Sequence, residues 1–112
     1  MRIAVPVVGG KVSTHFGHCD VFAFFEADLL GKTLGPRVDI VPPPHEPGLL
    51  PKWLADEGVT VVLGGGMGNR AQQLLAEQGI EVLLGCPEGK PEDVAQAWLE
   101  GTLEASDNAC DH

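Results

Sequence analysis

Apolar positions fall into short dense runs in the first third of the chain and into strand-like and helix-like runs by turns thereafter. RIAVPVV (2–8) is an apolar, β-branched run closed by Gly9 and Gly10, which predicts a buried strand. VFAFFEAD (21–28) predicts a second strand, and RVDIV (37–41) alternates apolar with polar as a half-exposed strand does. The link between these last two is short, with glycines at 31 and 35, so they should pair antiparallel. PPPHEPG (42–48) predicts no regular structure, because three consecutive prolines remove backbone donors.

From there strands and helices alternate. LLPKWLADEG (49–58) predicts a short helix, with Pro51 in its first turn and Gly58 as its stop. VTVVLGGG (59–66) predicts a buried strand. NRAQQLLAEQG (69–79) predicts a helix with Ala71, Leu74, Leu75 and Gln78 on one face and Gly79 ending it. IEVLLG (80–85) reads as another strand. PEDVAQAWLEG (91–101) is the clearest helix: Pro91 opens it, Glu92 and Asp93 suit its positive end, and Gly101 stops it. The order β-β-β-α-β-α-β-α predicts an α/β domain with a mixed sheet and helices on its faces, over residues 1–103. The remaining TLEASDNACDH loses periodicity, so 104–112 is expected to be a flexible tail carrying Cys-Asp-His.

Composition narrows the function. At 112 residues the chain is one domain, large enough for a core without disulfide or metal staples. Seven basic and sixteen acidic side chains give a net charge of −9, which argues against a nucleic-acid partner. No stretch approaches the ~20 apolar residues of a membrane span. The sequence runs from Met1-Arg2 straight into a strand with no signal peptide, so a cytoplasmic location is expected. Three cysteines in such a chain read as free thiols or ligands rather than a disulfide framework. Any single one of them would by default be a small buried hydrophobe.

The strands at 2–7, 59–64 and 80–84 should be mutually parallel, and open α/β sheets bind ligands at the C-terminal edge of such strands. The segments leaving that edge are GGKVSTHFGHCD, GGGMGNR and GCPEGKP. They bring together His15, His18, Cys19, the glycine turn at 64–68, Arg70 and Cys86. The turn runs into a helix N-terminus, where free amides and the helix dipole favour an anion. Its glycines serve equally well for a tight strand-to-helix turn, and it matches neither a Walker A loop nor a dinucleotide fingerprint. Met67 has a soft thioether but more often packs. His15, His18 and Cys19 are donors for a soft or borderline metal, although His-x₂-His-Cys is a weak spacing. A thiolate beside a histidine is also a nucleophile, but no orienting acid or oxyanion feature accompanies it. Cys110, Asp111 and His112 offer a thiolate, an imidazole and two carboxylates on a tail that needs no cysteine for packing. That points to a clamp folding over the crevice. His45 should be exposed.

RIAVPV, HFGHCDVFAFFE, LADEGVTVVLGGGMGNRAQQLLAEQGIEV and the closing AWLEGTL together resemble the dinitrogenase iron–molybdenum cofactor biosynthesis family. That family includes nitrogenase cofactor carriers and the molybdenum–copper orange protein. The resemblance spans roughly residues 1–103. It implies a ribonuclease H-like α/β fold, a five-stranded mixed sheet with about three helices. It further implies non-catalytic binding of an anionic metal–sulfur cluster or its precursor, exchanged with donor and acceptor proteins. By position, His15, Phe16 and Gly17 with Gly64, Gly65, Gly66, Met67 and Gly68 would frame the pocket. Cys19 and the Cys-Asp-His tail are additions to the pattern. A nuclease is rejected, because the strand acids Glu26, Asp39 and Glu81 show no grouping and the net charge opposes it.

The leading expectation is therefore a carrier or scaffold for a cluster of iron, molybdenum or copper, with no catalytic residues. Turn amides and Arg70 would offset the cluster's charge. Cys19 with His15 or His18 would ligate metal, and Cys110 and His112 would close over it. Zinc satisfies the same donors. The alternative is a small regulatory or interaction module holding an anion or a partner's carboxylate at the glycine turn. A cysteine-dependent enzyme ranks third. The sequence does not set the oligomeric state.

Overall fold

The computed structural model describes residues 1–17, 19–44 and 48–103. His18, His45, Cys110, Asp111 and His112 lie outside the described residues. In chain order the elements are β1 (Arg2–Val8), β2 (Lys11–Val12), β3 (Val21–Asp28), β4 (Thr33–Leu34), β5 (Val38–Ile40), α1 (Leu49–Asp56), β6 (Val59–Leu63), α2 (Asn69–Glu77), β7 (Glu81–Leu83) and α3 (Pro91–Glu100).

Five strands run in the order β4-β3-β1-β6-β7, with β2 paired to β1 and β5 to β3. β1 and β3 are antiparallel from Arg2↔Glu26 to Val7↔Val21. β5 pairs antiparallel with β3. β1, β6 and β7 are parallel, so their C-terminal ends share one edge as expected. The sheet carries two strands more than the five expected. β2 and β4 have two residues each, too few to show a period. β6 stops at Leu63 instead of running to residue 66.

Alternation along β1 separates two cores. Ile3, Val5 and Val7 join Val61, Leu63, Cys86 and the α3 residues Val94, Ala95 and Leu99. Ala4 joins Phe16, Phe22, Phe24, Val62 and Met67, covered by Leu50 and Leu54 of α1 and Leu75 of α2. Helices thus cover both faces. α3 begins at Pro91 with Glu92 and Asp93 in its first turn and ends at left-handed Gly101, as its sequence requires. In α2 only Leu75 is buried. Gln78 is the exposed C-cap and takes no part in the apolar face expected of it. No helix among the described residues is long and apolar enough to cross a membrane.

Candidate functional site

The loops at the C-terminal edge of β1, β6 and β7 are bonded into one rim. Gly9 and Gly10, both at positive φ, turn the chain back so that β2 lies against the end of β1. The Ser13 amide then donates to the Pro6 carbonyl (2.8 Å), and the Gly65 amide donates to the Ser13 carbonyl (3.0 Å). The Phe16 amide reaches the Gly66 carbonyl at 3.1 Å. On the other side Gly85 donates to Gly65 O (3.0 Å), Cys86 to Gly64 O (3.1 Å), and Val12 to Gly89 O (2.9 Å). The histidine loop, the glycine turn and the Cys86 loop are therefore one backbone-bonded unit.

This lacing assigns roles within the glycine run. A Cβ on Gly65 would sit 2.9 Å from both Ser13 O and Thr14 Cα, so only glycine fits. The Gly64 amide donates to Leu83 O at 3.0 Å. The amides of Gly64 and Gly65 are thus engaged within the fold. Met67, 1% exposed, packs in the α1/α2-face core. Gly68 is the N-cap of α2 with open space where a Cβ would stand, and Asn69 and Arg70 are exposed beyond it.

In the histidine loop, Ser13 Oγ accepts from the His15 amide (3.0 Å) and donates to the His15 carbonyl (2.8 Å). That pins the backbone of His15, whose residue is exposed. Phe16 turns into the core, edge-on to Phe22 at a centroid distance of 5.7 Å. Gly17 and Cys19 are half-buried. Burial pushes the Cys19 thiol up to about 11, and the neighbouring Asp20 charge adds to the rise. Burial likewise pushes the Cys86 thiol up to about 11. Cys86 belongs to the α3-face core while Cys19 packs against the α1/α2-face core, so the two thiols do not share a site.

Two hollows flank the loop. One of about 200 Å³ is lined by Lys11, Ser13, Thr14, His15 and Glu88, among others. The other, about 250 Å³, is lined by Gly17, Cys19, Asp20, Pro42, Pro43 and Leu50, among others. The expected donors His15 and Cys19 thus open into different hollows. Among the described residues no group of three or more His, Cys, Asp or Glu is arranged to hold a metal ion. Lys11, Thr14 and Glu88 were not singled out from the sequence. Their only signal was membership of loops leaving the same sheet edge. Of the strand acids, Glu26 pairs with Arg2 and Asp39 with Arg37.

The profile of the dinitrogenase iron-molybdenum cofactor family matches residues 1–101. The chain belongs to this family. Among solved structures it is similar to the crystal structure of PH0822, at 31% identity over 97% of each chain and a TM-score of 0.87. It is also similar to the apo form of the orange protein from Desulfovibrio gigas, at 26% identity over 96% of this chain and 93% of that one, TM-score 0.69. MJ0327 from Methanocaldococcus jannaschii shares the fold at 17% identity, with 96% of each chain covered and a TM-score of 0.75. No protein of curated function matches the sequence. Homology thus connects nearly the whole chain to the dinitrogenase iron-molybdenum cofactor family.

Proposed function

We propose that this chain is a carrier or scaffold for an anionic metal–sulfur cluster, or its precursor, containing iron, molybdenum or copper. The cluster is cargo, received from one cytoplasmic assembly protein and passed to another. The observation that carries the reading is the bond from Phe16 N to Gly66 O together with that from Gly65 N to Ser13 O. They hold the two family segments, histidine loop and glycine turn, as one rim at the ligand-binding edge of the sheet.

The donor chemistry fits a soft metal: a thiol at Cys19 with an imidazole at His18, or at His15 reaching across from the neighbouring hollow, and Cys110 and His112 as further donors. Zinc would use the same donors. Arg70, exposed in the first turn of α2, and the start of that helix favour negative charge. Phe16, Gly17, Gly66, Met67 and Gly68 shape the rim; Gly64 and Gly65 support it. The anion-module alternative is weakened, because the amides of Gly64 and Gly65 are already engaged.

The test is anaerobic reconstitution with iron, molybdenum or copper plus sulfide, followed by metal analysis and an absorption spectrum. Wild type should retain metal and a charge-transfer band that Cys19→Ala with Cys110→Ala loses. Equal retention by the two proteins ends this reading.

A further inference from the structure

The hollow beside His15 has a chemistry of its own. It contains no thiol, and at about 200 Å³ it is smaller than the ~300 Å³ at which pockets for organic ligands begin. Its size suits a small ion with its first waters. Two of its linings can donate to a ligand: the Lys11 ammonium and the Thr14 hydroxyl. Lys11 makes no ion pair among the described residues. Ser13, the buried polar residue of the described set, spends its hydroxyl on the His15 backbone and so fixes the wall rather than the ligand.

We propose that this hollow binds a small tetrahedral oxyanion of the phosphate, sulfate and molybdate class, with Lys11 as its principal charge and Thr14 as a further donor. Glu88 lines the same hollow and opposes the anion. This gives the site an internal control. An anion gains from removing Glu88's charge and loses from removing Lys11's, whereas a cation does the reverse. The site is separate from the Cys19 hollow and does not require cluster binding.

Calorimetric titration of the full chain, without added metal and in low-salt buffer free of phosphate, tests it with molybdate, sulfate and phosphate in turn. The expected result is one saturable site for at least one of these ions. Lys11→Ala should weaken it by about tenfold, Lys11→Arg should hold it within about threefold, and Glu88→Gln should tighten it several-fold. Rising salt should weaken it. Cys19→Ala should leave oxyanion binding unchanged even though it impairs cluster retention, so the two readings fail separately. Absence of binding by all three ions overturns the proposal, as does binding indifferent to Lys11→Ala. Zinc binding that Glu88→Gln weakens and Lys11→Ala strengthens would reassign the hollow to a cation.

Discussion

The backbone amide of Phe16 donates to the carbonyl of Gly66 at 3.1 Å, joining a loop that follows β1 to a turn that follows β6. Side chains do not make this join, so its strength depends on how closely two stretches of main chain approach. Gly65 sets that approach, because its missing Cβ is what lets Ser13 and Thr14 lie against it.

Gly65→Ala should therefore destabilise the fold by about 1–3 kcal/mol, since the obstructing atoms are backbone and cannot rotate away. Gly68→Ser is the control. Its φ of −68° and ψ of 158° suit an N-cap serine, and no atom lies within 4 Å of the new Cβ. That change should be neutral or stabilise by a few tenths of a kcal/mol. Urea unfolding of both variants checks the contrast, and equal effects would refute the assignment of roles within the run.

Cys86 makes stability depend on alkaline pH. Its thiol is raised from 9.0 to about 11 by burial, so the folded state holds the proton more tightly than the unfolded chain does. The associated stability is present in full below pH 9 and is lost as pH rises through about 11. The two-unit difference corresponds to up to about 2–3 kcal/mol. Cys86→Ala should cost stability at neutral pH but show a shallower decline between pH 9 and 11. Thermal unfolding of both proteins across that range measures the difference. Parallel curves would show that the thiol does not titrate in the folded state as described.

Arg37 fastens the outer edge of the sheet to α3. It bonds Asp39 of β5 at 2.6 Å and Glu92 at 2.8 Å in the first turn of α3. The residue is only partly shielded, so Arg37→Ala should cost no more than about 1 kcal/mol globally. The local effect should be larger: amides of β5 should exchange with solvent faster, while those of β1 and β6 stay protected. Uniform acceleration across the sheet would contradict this fastening role.

The residues that announced themselves in the sequence are those whose neighbours are local. Long apolar runs gave β1 and β3 at their observed limits, and helix starts and glycine stops placed α1, α2 and α3 within two residues. β2 and β4 were silent because a two-residue strand has no periodicity; each is defined by the strand it lies against. The shared loop edge was legible from the parallel-strand rule. What could not be read was the division inside it. Whether Gly65 serves a ligand or a close packing depends on the Ser13 and Thr14 backbone, distant in sequence. Likewise His15 and Cys19, so close along the chain, open into different hollows because Phe16 is drawn into the core.

Phe16 should accordingly anchor the whole rim. It is 5% exposed, meets Phe22 edge-on, and carries the amide that reaches Gly66. Phe16→Ala removes a buried ring and should cost about 3–5 kcal/mol. Phe16→Leu keeps most of the volume and should cost about 1.5 kcal/mol or less, leaving a folded protein in which the loop can be probed. In the leucine variant, amide exchange at Phe16 and Gly65 should quicken far more than at Ile3 or Val61, which lie in the opposite core. Metal retention after reconstitution should fall alongside that local loosening, with Cys19 and His15 both intact. If retention held while the two amides lost protection, the rim's rigidity would not matter to the cargo. Phe16 would then be a core residue only.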